Sequence, residues 1–292
     1  MSDAVGGTWI DFHGIPIELA YAPLSEDAFG TLFAPFPRIG RMSGALRIEL
    51  ATTEIACAGP SDAFRPCFFY GVAQGYARGD CYALYDGQSL INVEPVAGRM
   101  SGTLFRPDPA AVSAGMQHIA LSLLLRERSI FDAHAAVACD DDRAFLLVGD
   151  SGSGKTTTLL GLLDAGFKFL GDDRVLLRPQ DGLPELLAYP REFHVTPKTL
   201  AALATQPDAQ TPLHQDGRFR IGPLEQWSAS FRRSWNGPMT LIFPEVVNDP
   251  SSHLCRVSPA ESFGHLLASS AAVALPTTRY ADEQMGVLKD IA

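Results

Sequence analysis

The chain has no surplus of positive charge: 23 lysines and arginines stand against 33 aspartates and glutamates, a formal net charge of −10. A polyanion binder gains affinity by releasing counterions to clustered cations, so this balance argues against a nucleic-acid partner. It leaves room for a nucleotide, which needs only a local cradle. Cysteine is scarce as well. The five residues, Cys57, Cys67, Cys81, Cys139 and Cys255, are odd in number and widely spaced, with neither a C-x-x-C pair nor Cys/His finger spacing. That argues against a disulfide framework or a structural zinc site, and the expectation is buried thiols in a reducing compartment. No uninterrupted apolar run approaches the roughly 20 residues of a membrane span. The first residues, MSDAVGGTWIDFHG, carry no basic stretch followed by an apolar one, so no signal peptide is expected. The expected protein is cytoplasmic, partnered with neither membrane nor nucleic acid. Internal repeats and low-complexity tracts are absent too.

What is present is ordinary globular composition, 46% hydrophobic and 19% charged over 292 residues, enough for one large or two medium domains. Residues 1–107 read as a β-rich N-terminal domain of short strands broken by Gly, Pro and Asp: Trp9–Phe12, Ile15–Tyr21, Ala45–Leu50, Cys67–Val72, Cys81–Tyr85 and Ser89–Val93. Asp108-Pro109 offers a helix cap and a first-turn proline, and Ala110–Arg126 carries apolar residues at helical spacing. Residues 108–130 are therefore read as a connecting helix. From 131 to 292 the pattern becomes strand, loop, helix, strand. Ala133–Cys139 and Ala144–Val148 flank the acidic turn at Asp140-Asp141-Asp142. A helix Thr156–Asp164 follows, with Gly166 placed to end it. Phe167–Gly171 reads as a short apolar strand delivering Asp172-Asp173, with Val175–Leu177 continuing it. The final residues, Asp282–Ala292, read as an amphipathic helix that ends abruptly, as a truncated C-terminus would.

The most specific signal lies between the second of these strands and the helix. Gly149-Asp150-Ser151-Gly152-Ser153-Gly154-Lys155-Thr156 matches G-x-x-x-x-G-K-[ST] in the strand–loop–helix setting that makes it a phosphate cradle. Glycines let successive backbone N–H groups turn inward on a polyphosphate, and the helix N-terminus adds about half a positive charge behind them. Lys155 is expected to reach the β- and γ-phosphates, the Thr156 hydroxyl to sit on Mg²⁺, and Thr157 to complete the nucleotide-binding run. The competing reading is a Gly/Ser turn capping an ordinary helix.

Phosphoryl transfer also needs a metal anchor and a group to handle the acceptor proton. Asp172-Asp173 can supply both. Neighbouring strand residues point to opposite faces, so two adjacent carboxylates converge only where a strand ends or bends, and Gly171 eases that departure. One aspartate can then hold Mg²⁺ while the other faces the acceptor hydroxyl. Taken alone, the pair also reads as a solvated turn. His134 opens the strand Ala135–Cys139; by itself it reads as a partly buried structural histidine.

The stretch His134–Leu177 resembles the catalytic core of the HPr serine kinase/phosphorylase family. That pattern has a histidine opening a strand, then G-D-S-G-x-G-K-[ST], a leucine-rich helix, a glycine with an aromatic, and a strand ending in D-D-x-V. Here the matching residues are His134, Gly149–Thr156, Leu159, Leu162, Gly166-Phe167 and Asp172-Asp173-Arg174-Val175, over about 45 residues. The resemblance implies an α/β fold: a P-loop domain of the HPr kinase/phosphoenolpyruvate carboxykinase-like type, with a mixed, strongly curved sheet wrapped on the helix. It further implies ATP and Mg²⁺ as cofactors, Lys155 and Thr156 on the β/γ-phosphates and metal, and Asp173 as the proton acceptor. Asp172 would support metal or histidine, and His134 would contact the transferred phosphoryl group or orient an aspartate. Members of that family assemble into rings, so a homo-oligomer using the N-terminal region is an expectation carried by the resemblance.

The departures point away from HPr as acceptor and from the reverse reaction. The family's E-[IV]-R-G-x-G-I signature is replaced by Ala188-Tyr-Pro-Arg191-Glu192-Phe-His194-Val195, and Thr157 stands where the family has Glu. Residues 1–110 do not resemble its usual N-terminal domain. The chain is more similar to divergent HPr-kinase-like proteins, some of which phosphorylate peptides in lasso-peptide biosynthetic clusters. The implied reaction is ATP-dependent phosphorylation of a serine hydroxyl on a peptide or small protein. A small-molecule kinase and a non-catalytic nucleotide-binding regulator are the alternatives. Arg174, Arg178, Arg191, Arg218, Arg220, Arg232 and Arg233 are candidate phosphate or acceptor contacts, Arg191 foremost, each otherwise a solvated charge. Pro212–Gly222 reads as an acceptor-covering loop or a disordered connection, and His214 has no evident partner.

Overall fold

Strand β3 (Leu46–Thr53) alternates Leu46, Ile48 and Leu50, all buried, with the more exposed Arg47 and Glu49. That period of two marks a sheet with one face packed and one face in water. In the computed structural model, residues 7–21, 28–71, 73–105, 110–202, 217–222, 227–247, 251–270 and 280–292 are described. The readings for Asp108-Pro109, Val72, His214 and most of Gln206–Gly222 lie outside these residues. The chain divides into two compact units, with the break after Ile130.

Among the described residues the first unit is built on an eight-stranded sheet. Its strands are β1 (Thr8–Phe12), β2 (Ile15–Tyr21), β3, β4 (Arg65–Tyr70), β5 (Ala73–Arg78), β6 (Cys81–Tyr85), β7 (Leu90–Glu94) and β8 (Arg99–Phe105). They lie in the order β1-β2-β3-β8-β7-β6-β5-β4. The pairs β2/β3 and β3/β8 are parallel and the rest antiparallel. The sequence pattern misses β5 and β8. Strand β8 carries Gly102, where an added Cβ would lie 2.5 Å from the Leu90 carbonyl oxygen, so close strand approach decides this residue rather than β propensity. Helices α1 (Ala28–Phe33) and α2 (Ala110–Arg126) pack within this unit, α2 against β6, β7 and β8. The stretch read as a connection is thus a structural layer of the first unit, with Met116, Ile119, Ala120, Leu123 and Leu124 all buried.

Among the described residues the second unit holds two four-stranded sheets, the two-stranded pair β15 (Phe193–Val195) and β16 (Phe219–Ile221), and the short helix α4 (Pro197–Ala202). One four-stranded sheet runs β12 (Lys168–Gly171), β10 (Ala135–Cys139), β11 (Ala144–Val148), β18 (Met239–Ile242). The other runs β17 (Ser234–Trp235), β14 (Glu185–Leu187), β13 (Val175–Arg178), β9 (Phe131–Ala133). Residues along β10 and β11 divide by parity between two cores. Ala135, Val137, Leu146 and Val148 join Leu170, Val175, Leu266 and Leu288 in one; Ala136, Ala138 and Leu147 join Leu159, Leu160, Leu163 and Phe193 in the other. A sheet covered on both faces requires the continuous apolar runs seen in the sequence. Helix α3 (Lys155–Asp164) lies on the second face and closes on Gly166 at φ 92°. Helices α5 (Pro259–Ser269) and α6 (Ala281–Ile291) contribute Leu266, Val287, Leu288 and Ile291 to the first face. The architecture is mixed α/β.

Two readings are corrected here. Ala133–Cys139 is not one strand, and Val175–Leu177 does not continue the strand ending at Gly171. Each segment changes sheet at its midpoint: β9 passes through His134 into β10, and β12 passes through Asp172–Arg174 into β13. The antiparallel register that sets Ala133 opposite Val175 carries across the crossing to Val137 opposite Gly171 and slips by one residue beyond it, where Ala138 faces Phe169. The expectation of buried thiols is also corrected. Cys139 is buried inside β10, whereas Cys57, Cys67 and Cys81 are half-buried and Cys255 is exposed; all five are free.

Candidate active site

Strand β11 delivers the chain to Gly149, and α3 begins at Lys155, so the glycine loop spans 149–154 between them. Gly152 at φ 88° and Gly154 at φ 102° take left-handed backbone that a side chain would strain. The Asp150 carbonyl accepts a hydrogen bond from Ser153 N (3.2 Å), while the side chains of Asp150 and Ser151 are exposed. The Ser153 hydroxyl is buried without a hydrogen-bond partner among the described residues, and a Cβ on Gly149 would sit 2.9 Å from it. Lys155 is only 4% exposed. Its Nζ donates to the carbonyls of Gly149 (2.7 Å) and Asp150 (3.0 Å), which folds the amine back across the loop. Thr157 is exposed, and its hydroxyl lies 3.0 Å from that of Thr199.

The next residue of α3 ties the loop to the acidic pair. Thr156 Oγ1 donates to the Asp172 carboxylate, 2.8 Å from Oδ2 and 3.1 Å from Oδ1. Asp172 is 2% exposed. Burial pushes its carboxyl up to about 7, and the neighbouring Asp173 charge pushes the same way against the Thr156 hydroxyl and the Lys155 charge. Asp173 adopts φ 63°, left-handed backbone that a residue other than glycine seldom takes. The turn has no room for bulk: a Cβ at Gly171 would lie 2.5 Å from the Arg174 carbonyl oxygen and 2.9 Å from that of Tyr189.

His134 occupies the matching sheet crossing. Its Nδ1 lies 2.7 Å from the Asp173 carbonyl oxygen, and its Nε2 lies 4.0 Å from Asp173 Oδ1. A carbonyl only accepts, so Nδ1 carries the proton and Nε2 of the neutral ring offers a lone pair. Burial holds the imidazole below its ordinary pKa. The charges of Lys155 and Arg174 add to this, and the Asp173 carboxylate and carbonyl oppose it. The Ser269 carbonyl accepts from His134 N at 3.1 Å and fixes the backbone from α5.

Lys155, Thr156, Asp172, Asp173 and His134 are therefore linked by direct contacts or shared electrostatics. Arg191 is not bonded to them. It is half-buried and follows Tyr189, whose backbone forms a parallel bridge with Gly171, but it makes no hydrogen bond or ion pair with the loop or the acidic pair. Three other arginines serve the scaffold. Arg174 pairs with Asp132 (2.7 Å) in the interior, Arg178 with Glu185 (3.0 Å), and Arg232 lies over the Trp235 ring. The Arg174–Asp132 pair beneath the turn, with Gln284 Nε2 donating to the Asp132 carbonyl (3.4 Å), has no local sequence signal because its members are far apart in the chain.

The donor set can be tested against magnesium, a hard cation that takes one or two carboxylates from a protein and fills its octahedron with water and phosphate oxygens. The Thr156 hydroxyl and Asp172 carboxylate, side by side at the loop, fit that requirement. Among the described residues no cluster of three or more His, Cys, Asp or Glu side chains would hold a metal by itself. Among the described residues no helix is long and apolar enough to cross a membrane.

No family model and no curated protein matches the chain. Among solved structures it is similar to the Hpr(Ser) kinase/phosphatase from Coxiella burnetii, at 14% identity and a TM-score of 0.27, over 55% of this chain and 94% of that one. At that score the likeness carries no argument about chemistry.

Proposed function

We propose that the second unit is an ATP-dependent kinase that transfers the γ-phosphoryl group to a serine hydroxyl of a peptide or small protein. The observation that carries this reading is the Thr156–Asp172 hydrogen bond, which sets the acidic pair against the glycine loop. A bare anion cradle has no use for a carboxylate pair and an imidazole at its rim.

In the proposed reaction the loop N–H groups and Lys155 hold the β- and γ-phosphates, Lys155 exchanging its two carbonyl partners for phosphate oxygens. Thr156 and Asp172 are the residues that would hold magnesium, which neutralises phosphate charge when bound. The acceptor oxygen attacks the γ-phosphorus, the bond to the β-phosphate bridging oxygen breaks, ADP leaves, and the acceptor proton passes to Asp173. His134, whose Nδ1 donates to the Asp173 carbonyl at 2.7 Å, orients that aspartate for the transfer; contact with the moving phosphoryl group would need its ring protonated at Nε2. Positioning and charge neutralisation do most of this work, so a small residue set suffices.

Incubation with labelled ATP, magnesium and serine-containing peptides, read by mass spectrometry, tests the reading. The expected result is one added phosphoryl group on serine. Gain of phosphate only by free metabolites would remove the peptide acceptor, and binding of ATP without any transfer would remove the enzyme.

A further inference from the structure

Strand β18 runs parallel to β11, with Ile242 opposite Leu147, so its C-terminal end emerges at the edge where the glycine loop begins. Ligands of parallel α/β sheets sit off the carboxyl ends of such strands. The segment after β18 stays against the loop. The Pro244 carbonyl oxygen lies 3.8 Å from the position of a Cβ on Gly149, and Val246 Cγ2 lies 3.4 Å from that of Gly154. Phe243 anchors its start, packing on the core and against the His265 ring at a centroid distance of 4.6 Å. Yet Val246 and Val247 are 69% and 48% exposed. Two adjacent valines in water, the first of them beside the glycine loop, leave apolar area uncovered next to its backbone dipoles.

We propose that Val246 and Val247 form a shelf for the planar base of the nucleoside triphosphate. The shelf presupposes the phosphate-holding role proposed above. Three features favour a base over the other parts of that molecule. Val246 lies beside Gly154, the last loop residue before Lys155, so a nucleoside leaving the loop passes next to the pair. Their side chains offer only dispersion and apolar burial, which suit the face of a neutral aromatic ring and not a phosphate. Glu245, exposed next to them, disfavours an anion at that position. Because aliphatic contacts do not read hydrogen-bond patterns, adenine and guanine are accepted through the same surface.

The test compares ATP with inorganic tripolyphosphate, which presents the same three phosphates without a nucleoside. Equilibrium binding to the full chain is measured for the parent and for the double variant Val246→Ser, Val247→Ser. Serine is chosen because it is neutral and leaves the electrostatics of the loop unchanged; both residues are exposed, and equal melting temperatures check the fold. Loss of the apolar contact should weaken ATP about tenfold and leave tripolyphosphate within about twofold. Equal weakening of both ligands would mean the valines act on the loop and would overturn the shelf. Unchanged ATP affinity with a raised peptide KM would assign the surface to the acceptor and overturn it as well. If the parent binds tripolyphosphate as tightly as ATP, the shelf fails while the phosphate role stands; if it binds neither, both fail.

Discussion

His134 and Asp173 meet where two strands change sheet: His134 Nδ1 is 2.7 Å from the Asp173 carbonyl oxygen, and Nε2 is 4.0 Å from its carboxylate. The backbone contact fixes the tautomer, and the second distance leaves two acceptors facing one gap. Neither can bond to the other while the ring is neutral; a water can donate to both, whereas a substrate hydroxyl has one proton and donates to one of them. A sheet crossing suits such a pair. It interrupts the ladder, frees backbone groups, and lets Asp173 take a conformation that a continuing strand would forbid.

The first prediction concerns the proton. On the proposed mechanism Asp173→Asn keeps shape and neutralises charge, so ATP binding stays near the parent value while transfer falls by about 10² to 10⁴. Rapid-quench phosphotransfer and equilibrium ATP binding, measured side by side, provide the check. Transfer at the parent rate would remove Asp173 from this role.

Gly171 makes a purely structural prediction. Its Cβ position is 2.5 Å from one backbone oxygen and 2.9 Å from another, and backbone atoms cannot swing aside as side chains do. Gly171→Ala should cost about 1–3 kcal/mol and should displace the acidic pair. Urea unfolding reads the first effect and loss of transfer the second; an alanine variant with full stability would show that the turn can relax.

The interior ion pair carries a third. Arg174 and Asp132 are 7% and 3% exposed at their side chains, with Asp132 Oδ1 buried and unpartnered among the described residues. Removing one charge strands the other in a low-dielectric setting. Arg174→Met should therefore cost about 3–5 kcal/mol. Adding Asp132→Leu should recover much of that loss, because no charge is left uncompensated. A double variant no more stable than the single one would contradict the argument.

The sequence reveals most where chemistry is local. The glycine loop, the helix behind it and the C′ glycine at 166 depend on contiguous residues with special backbone demands, and each lies at its expected place. So does α2, whose apolar spacing marks it clearly, although its docking on β6, β7 and β8 could not be read. The sheet crossings are hidden because Ala133–Cys139 and Phe169–Leu177 are apolar on either side of a short polar break. Periodicity cannot tell a continued strand from one that changes partners. The Val246 contact and the Arg174–Asp132 pair escaped for another reason: they join residues separated by some 40 to 90 positions, and pairing at that range leaves no pattern in one sequence. Strand β8 was hidden by Gly102, a residue chosen by its neighbour's backbone.

Asp172 gives the pH dependence. Its carboxyl is raised to about 7 in the folded protein by burial and the Asp173 charge, whereas in the unfolded chain it titrates near its ordinary value of about 4. Between those values the folded state binds more protons than the unfolded one. The slope of unfolding free energy with pH is then negative, so this residue's contribution is full below about pH 4 and is lost as pH rises toward 7. The expected slope is roughly 1 kcal/mol per pH unit in this window. His134 acts in the opposite sense: its lowered pKa removes stability as pH falls through the histidine range, so the two partly cancel near pH 6. Asp172→Asn deletes the first effect alone, accepts the Thr156 hydroxyl through its amide oxygen, and should leave a profile that no longer declines between pH 4 and 6. Melting temperatures of ligand-free parent and variant across that range decide it. Two parallel curves would mean that Asp172 is ionised in the folded protein with its charge compensated by Lys155, since the lowered carboxyls of Glu49, Asp140 and Glu261 shape both curves alike.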